Sequence, residues 1–464
     1  MQIENHQIGL NGRRPERAAL TPAEVVDCIH FRSDGISRID RRIYSDPDIF
    51  DLEMEHIWER VWIFIAHESQ LSRPGDYLTA FIGRQPVLAM RSKSGNIGVF
   101  LNACPHRGAM VCRLKRGNAR IIACPYHGWT FNTDGSLIAP KEEAVGAYPE
   151  AFDKKELGLK RVARFENYRG FIFACLDPHI APLSEYLGDA RVFIDMFVDQ
   201  GDAMELIKGV CSYTYDGNWK LQAENGVDGY HPSTVHWNFI ATQQHRAKLD
   251  TQGEKTKTKG MNPVTDPSKV KGGYFDFGHG NTMIWGDWTN PQDRFNFHRR
   301  EQFAQRMGPL RADWVIGRLR NLLLYPSVFL MDQQSSQIRV IQPISVNKTK
   351  VTVYGLAPVG ETADERRQRI RYYEDFFNAS GMATPDDLSE FDASQAGFSA
   401  RALPRSDFSR GATHQIAGPN EEAIKLGINP LSSGSWIGDE GIYLGQYAYW
   451  RELMLRGMER GAHD

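Results

Sequence analysis

Cysteine is scarce, with 6 in 464 residues. That density excludes a disulfide-stapled scaffold and points any cysteine at fixed spacing from histidine toward metal binding. Charge of one sign is also missing: 55 Lys+Arg stand against 57 Asp+Glu, a formal net charge of -2. No global field exists to hold a phosphate backbone or an anionic membrane surface, so nucleic acid is excluded as the expected partner. Long hydrophobic runs are absent, since stretches such as Val61 to Ala66 and Leu322 to Tyr325 fall far short of the ~20 residues of a membrane span. The start, MQIENHQIGLNGRRPERAAL, lacks an apolar core and a small-residue cleavage site, and the expectation is a cytoplasmic protein. No internal repeat is visible.

What is present is length and patterning for two domains with an N-terminal arm. The expected division is an arm and helix over 1–40 packing on the second domain, a β-rich domain over 41–180, and an α+β domain over 181–464. Residues 1–20 read as a polar arm. Thr21-Pro22-Ala23-Glu24 forms a capping box with Pro at the first helical position, and Asp46-Pro47-Asp48 opens a second helix after a turn at Ser33-Asp34-Gly35. From 62 to 178, short runs (WIFIA, YLTAFIG, VLAMR, IGVFLNA, RIIACP, GFIFACL) alternate with turns such as GNARI and NTDGS, the pattern of a small all-β domain. Beyond Leu183, helical stretches, one capped by Ser184 and another a long charged amphipathic run over Thr362 to Phe377, mix with alternating strands over Gln337 to Ser345 and Lys350 to Leu356. That segregation fits an antiparallel sheet with helices. Residues 251–273 read as an exposed insertion.

The β-rich region holds Cys104-Pro105-His106-Arg107-Gly108 and, with seventeen residues between His106 and the next cysteine, Cys124-Pro125-Tyr126-His127-Gly128-Trp129. Two Cys and two His could hold zinc. A zinc finger, however, pairs its cysteines at one end and its histidines at the other, whereas here each loop carries one of each. That suits a Rieske [2Fe-2S] cluster, in which Cys104 and Cys124 bind one iron and His106 and His127 the other, raising the potential above that of all-Cys ferredoxins. The remaining cysteines, Cys28, Cys112, Cys175 and Cys211, read as small buried hydrophobes.

The second dense segment runs GNWKLQAENGVDGYHPSTVH, residues 217–236. On an ideal helix His231 and His236 would point about 140° apart, so spacing alone leaves them open as a metal pair or as two unrelated side chains. Pro232 disfavours helical geometry at His231 and offers one way for the two to converge. The segment GMATPDDL supplies Asp386 and Asp387, which read equally as helix-capping or first-turn acids.

CPHRGA and CPYHGWTF resemble the Rieske domain of ring-hydroxylating oxygenases, and D-x-Y-H-x4-H after E-N resembles the same family's iron-binding histidines. From about Ile39 to Trp450 the chain is similar to large subunits of the benzoate, toluate, anthranilate and 2-halobenzoate dioxygenase group. The resemblance implies a Rieske β-domain on a helix-grip catalytic domain, with one 2Fe-2S Rieske cluster and one mononuclear Fe(II) held by His231, His236 and Asp387, Asp386 being the alternative. It assigns Asp228 to bridging His231 and the Rieske His127 of a neighbouring subunit in a trimeric ring, and places Asn225 near the iron. It also implies a small β subunit in an α3β3 assembly, an NADH-dependent reductase carrying FAD and a 2Fe-2S cluster, and cis-dihydroxylation of an aromatic carboxylate by O2. A Rieske monooxygenase of salicylate-hydroxylase type would share every metal ligand. An anionic substrate needs a donor-rich anchor, for which Arg339 in SSQIRVIQ is the candidate against a reading as a surface strand residue. Trp237 and Phe239 read as core.

Overall fold

The computed structural model describes residues 20–251, 270–333 and 335–461. The capping box forms as the sequence dictates: Thr21 and Glu24 exchange hydrogen bonds at the start of helix Pro22–Val26. Asp46 caps helix Pro47–Glu53, which widens into one π-helical turn over Met54–Trp58. The hairpin of Ile29–Phe31 and Ser37–Asp40 pairs with the distant strand Arg405–Asp407. Residues near the start of the chain are thereby tied to residues near its end.

Three small antiparallel sheets occupy the first β-rich stretch. One runs Ile97–Leu101, Gln85–Arg91, Asp76–Ile82 and Arg116–Asn118 in spatial order; a second joins Ile121–Ala123, Thr130–Asn132 and Leu137–Ala139. Beneath the two Cys-His loops, Leu88, Met90, Phe100, Trp129 and Phe131 form an apolar cluster separate from the main core. The third sheet, Arg164–Tyr168, Phe171–Cys175 and Ile63–His67, faces the main core instead.

The later part is dominated by a ten-stranded antiparallel sheet. Its centre is Thr282–Asp287, Arg318–Leu324, Val328–Asp332, Ser336–Ser345 and Lys348–Pro358, each paired with the next. The long helix Gly441–Gly461 packs on the strands at one side of it, Gly272–Asp276, Thr282–Asp287 and Ser432–Gly434. The expected helix forms over Ala363–Phe376 and opens on a Thr362–Glu365 capping box.

Four sequence expectations need correction. Ser184 lies inside helix Leu183–Leu187, whose cap is Pro182; a fixed proline φ just ahead of the helix starts it without a side-chain cap. Residues 1–19 and 252–269, expected as arm and insertion, lie outside the described residues. Gly272 and Gly273, however, open a fully buried strand, where a Cβ on Gly273 would run into the Gly434 carbonyl. Trp237 is 58% exposed, while Phe239 is core. Cys28, Cys112 and Cys175 are buried as read, whereas Cys211 is only half-buried.

Candidate active site

The two Cys-His loops are built on one backbone plan. The Cys104 N–H donates to the Ala109 carbonyl and the Gly108 N–H donates back to Cys104; Cys124, Trp129 and Gly128 repeat the exchange at 2.8 to 2.9 Å. Each loop closes on a glycine in the left-handed region, φ +71 at Gly108 and +72 at Gly128, which only glycine enters without strain. The plan brings both thiols to the buried side. The imidazoles of His106 and His127 meet with ring centroids 4.6 Å apart, and the indole of Trp129 stacks on His106 at 4.9 Å. Burial and the adjoining Cys124 thiol raise Cys104, against the pull of the His106 and Arg107 backbone N–H groups. His106 is exposed and His127 partly so; the histidine edge faces outward.

The second centre is assembled from two distant helices. Asn218 caps Trp219–Asn225, and the buried Glu53 carboxylate fixes that helix by accepting from Trp219 Nε1 at 2.9 Å and from Lys220. Asn225 is therefore held at the helix end. One turn later, Pro232–Val235 forms a short helix flanked by His231 and His236. The third side chain comes from helix Thr384–Gly397, whose first turn carries Asp386 and Asp387. Thr384 Oγ1 ties that turn to the Phe377 carbonyl at 2.9 Å.

His231 Nε2, His236 Nε2 and Asp387 Oδ1 form a triangle with edges of 3.3, 3.3 and 3.5 Å. For donors bound at about 2.1 Å, neighbouring corners of an octahedron lie about 3 Å apart, so this triangle has nearly the size of one octahedral face. Asn225 Nδ2 donates to Asp387 Oδ1 at 3.1 Å. Asp228 Oδ2 lies 3.0 Å from His231 Nδ1, which leaves lone pairs on His231 Nε2 and the carboxylate aimed at a common point. Burial pushes the Asp228 carboxyl up, but His231 outweighs it and the net shift is down; His231 is correspondingly raised. Asp386 stands behind, with Oδ2 3.7 Å from His236 Nδ1.

The expected role of Pro232 is overturned. His231 has right-handed helical angles, φ -70 and ψ -28, because proline at the first helical position costs no hydrogen bond. The pair converges because the helix ends after one turn, His236 leaving it at ψ 27. Nor does either aspartate cap: the cap is Ala383.

Arg339 is not a surface residue. It is 2% exposed, and its Nε and Nη2 have no hydrogen-bond partner among the described residues. Phe377 covers the guanidinium at 5.3 Å. Cross-strand pairing puts Arg339 beside Phe329, and the Phe329 ring fills the space a Cβ on Gly226 would need. Arg339 thus lies on the sheet face beneath the helix that ends in Asn225. Burial raises the half-buried Tyr213 phenol to about 12; Arg339 and Asp387 act on it in opposite directions. The strand alternation that singled out Arg339 could also have found Gln337, two residues earlier on the same face and fully buried.

Residues 61–149 match the Rieske [2Fe-2S] domain and 204–425 the ring hydroxylating alpha subunit catalytic domain. The toluate 1,2-dioxygenase alpha subunit of Pseudomonas putida is 46% identical over 92% of this chain and 93% of its own length. The chain belongs to the ring-hydroxylating alpha-subunit family. The 2-halobenzoate 1,2-dioxygenase large subunit of Burkholderia cepacia is 46% identical (92% and 91% covered), and the anthranilate 1,2-dioxygenase large subunit of Acinetobacter baylyi 43% (95% of both). Among solved structures, a naphthalene 1,2-dioxygenase with indole in its active site superposes with a TM-score of 0.77 at 26% identity, covering 90% of this chain and 92% of that one.

A ring-hydroxylating alpha subunit carries one Rieske [2Fe-2S] cluster and one mononuclear iron, and the donor sets fit both. At the second centre two imidazole nitrogens and a carboxylate oxygen converge within 3.5 Å of one another, a donor set of the kind that holds a mononuclear iron. Two buried thiols beside two outward imidazoles match a binuclear group with unlike ends.

Proposed function

We propose that this protein is the large subunit of a terminal oxygenase that adds both atoms of O2 to adjacent ring carbons of an aromatic carboxylate. In balance, the benzoate-type substrate, O2, NADH and H+ give the carboxylated cis-dihydrodiol and NAD+. The observation that carries the substrate class is the buried, unpaired Arg339 guanidinium. A buried charge left without a counter-ion costs several kcal/mol, on the order of 2–5, which an entering carboxylate offsets.

In this reading Cys104, Cys124, His106 and His127 hold the cluster and His231, His236 and Asp387 hold the iron. When bound, the cluster supplies single electrons and the iron supplies the redox chemistry of O2. The chain's own groups do the rest. Asp228 keeps the His231 proton on Nδ1, so that Nε2 presents its lone pair, and in a trimeric ring the same carboxylate would accept from His127 of a neighbouring subunit. Asn225 steadies the bound oxygen of Asp387. Arg339 orients the ring by its carboxylate, and Phe377 shields that pair from water. The partners of this reading are a small β subunit in an α3β3 assembly and an NADH-dependent reductase with FAD and a 2Fe-2S cluster, in the cytoplasm. The chain is divided at 40 and 180, with electron transfer in the middle segment and chemistry in the last. No helix among the described residues is long and apolar enough to cross a membrane.

The enzyme reconstituted with β subunit and reductase should convert benzoate under 18O2 to a product carrying two labelled atoms. One labelled atom would make it a monooxygenase instead. Arg339→Met should raise KM for benzoate at least about 30-fold, the lower bound for truncating one side of a buried charge pair.

A further inference from the structure

Gln337 is the more unusual neighbour of Arg339. Its side chain is fully buried, and neither Oε1 nor Nε2 has a hydrogen-bond partner among the described residues. Reversing the amide changes nothing, because both ends are unpaired. Each unmade hydrogen bond of this kind leaves the group's desolvation uncompensated. Yet the same sheet face is otherwise apolar at Leu323, Phe329, Met331 and Val353, where a leucine would be at home.

Register locates the amide. Gln337 pairs with Met331, which pairs with Asn321. Asn321 Nδ2 donates to the Gly226 carbonyl at 3.0 Å, next to Asn225, while its own Oδ1 is buried without a partner. Two strand positions separate Gln337 from Arg339, about 6.7 Å along the backbone. The sheet face therefore holds a cation for the carboxylate and, beside it, the unpaired oxygens of Gln337 and Asn321 together with the unpaired Gln337 Nε2, beneath the helix that ends in Asn225.

We infer that Gln337, with Asn321, is a specificity determinant that selects benzoates bearing a hydrogen-bond donor on the ring, an amino or hydroxyl group, over benzoate and its methyl or chloro derivatives. An amino group can donate to both orphaned oxygens and a hydroxyl to one of them, and either offers a lone pair to the unpaired Gln337 Nε2; methyl can do neither, and chlorine cannot donate. Sites built to bind a substrate N–H or O–H reject analogues lacking it by large factors, up to about 10^4 to 10^5. This inference rests on the carboxylate-binding reading of Arg339 and narrows it.

The test is a substrate panel on the holoenzyme with β subunit and reductase, scored as product formed per NADH: 2- and 3-aminobenzoate, 2-hydroxybenzoate, benzoate, 3-methylbenzoate and 2-chlorobenzoate. The best amino- or hydroxybenzoate should exceed benzoate in kcat/KM by at least about 100-fold. Gln337→Leu should shrink that ratio at least tenfold. Because the ratio is taken within one protein preparation, partial folding or incomplete metal loading cancels. A wild-type preference for benzoate, methylbenzoate or chlorobenzoate overturns the inference, as does an unchanged ratio in Gln337→Leu. If no aromatic carboxylate is turned over, or if Arg339→Met alters KM for none of them, the carboxylate reading itself fails, and that result is distinct from a failure of Gln337 alone.

Discussion

The two metal-binding regions solve the same problem, converging donors on a point, in opposite ways. The Cys-His loops draw on 24 consecutive residues, 104–127, and hold them by short-range backbone hydrogen bonds around two left-handed glycines. The second centre joins side chains from the 231–236 segment to Asp387, and nothing local connects them. Its geometry comes instead from packing: a buried glutamate anchoring one helix, a threonine tie starting the other, and a sheet face beneath. A locally specified site should tolerate distant damage, whereas a globally specified one should register it.

The largest expected effect breaks the pair apart. Asp387→Ala should abolish product formation and lower iron from three to two per chain, leaving the Rieske absorption and EPR spectra unchanged. His106→Ala should do the reverse, removing the cluster signature while mononuclear iron stays bound. Loss of both centres in either variant would mean that the regions do not fold independently of each other's metal.

Next in size is Asp228→Asn. The amide keeps the volume but cannot hold the Nδ1 proton of His231 as strongly, and removing such an outer partner costs about 10–100-fold in activity or metal affinity. We expect turnover to fall at least that far with both metals still bound. Electron transfer from the reduced cluster, followed in a single turnover, should slow more than substrate binding weakens. Equal loss in both would reduce Asp228 to a structural group.

The same contrast explains what could be read from the sequence. C-x-H and C-x2-H declare themselves because their chemistry is local and their spacing is specific. The Thr21 capping box was legible for the same reason. Arg339 was ambiguous because strand alternation tells which residues share a face but not whether that face is covered; here Phe377 and the 219–225 helix cover it. The proline rule failed at His231 because it weighs one dihedral preference, and a one-turn helix opening on Pro232 outweighs it. Gln337 was missed since an amide in a strand carries no signal until its partners are counted.

The smallest effects separate two glycines. Gly128→Ala places a side chain at φ +72 with its nearest neighbour, Lys141, 3.4 Å away on a flexible stem, so the cost is conformational, about 1–2 kcal/mol. Gly229, between Asp228 and Tyr230, has ordinary room for its backbone but none for a side chain: a Cβ would press directly into the Ile437 carbonyl oxygen. That neighbour is backbone and cannot swing aside. Gly229→Ala should therefore cost as much as overpacking in a core, about 1–3 kcal/mol, and should also shift Asp228 away from His231. Thermal unfolding alone would rank the two variants close together. Turnover should separate them, with Gly128→Ala retaining most activity once its cluster is loaded and Gly229→Ala losing it at full metal content. If instead Gly128→Ala is the more damaging to turnover at equal metal content, the loop's backbone plan is coupled to catalysis and the distinction between a local and a global site fails.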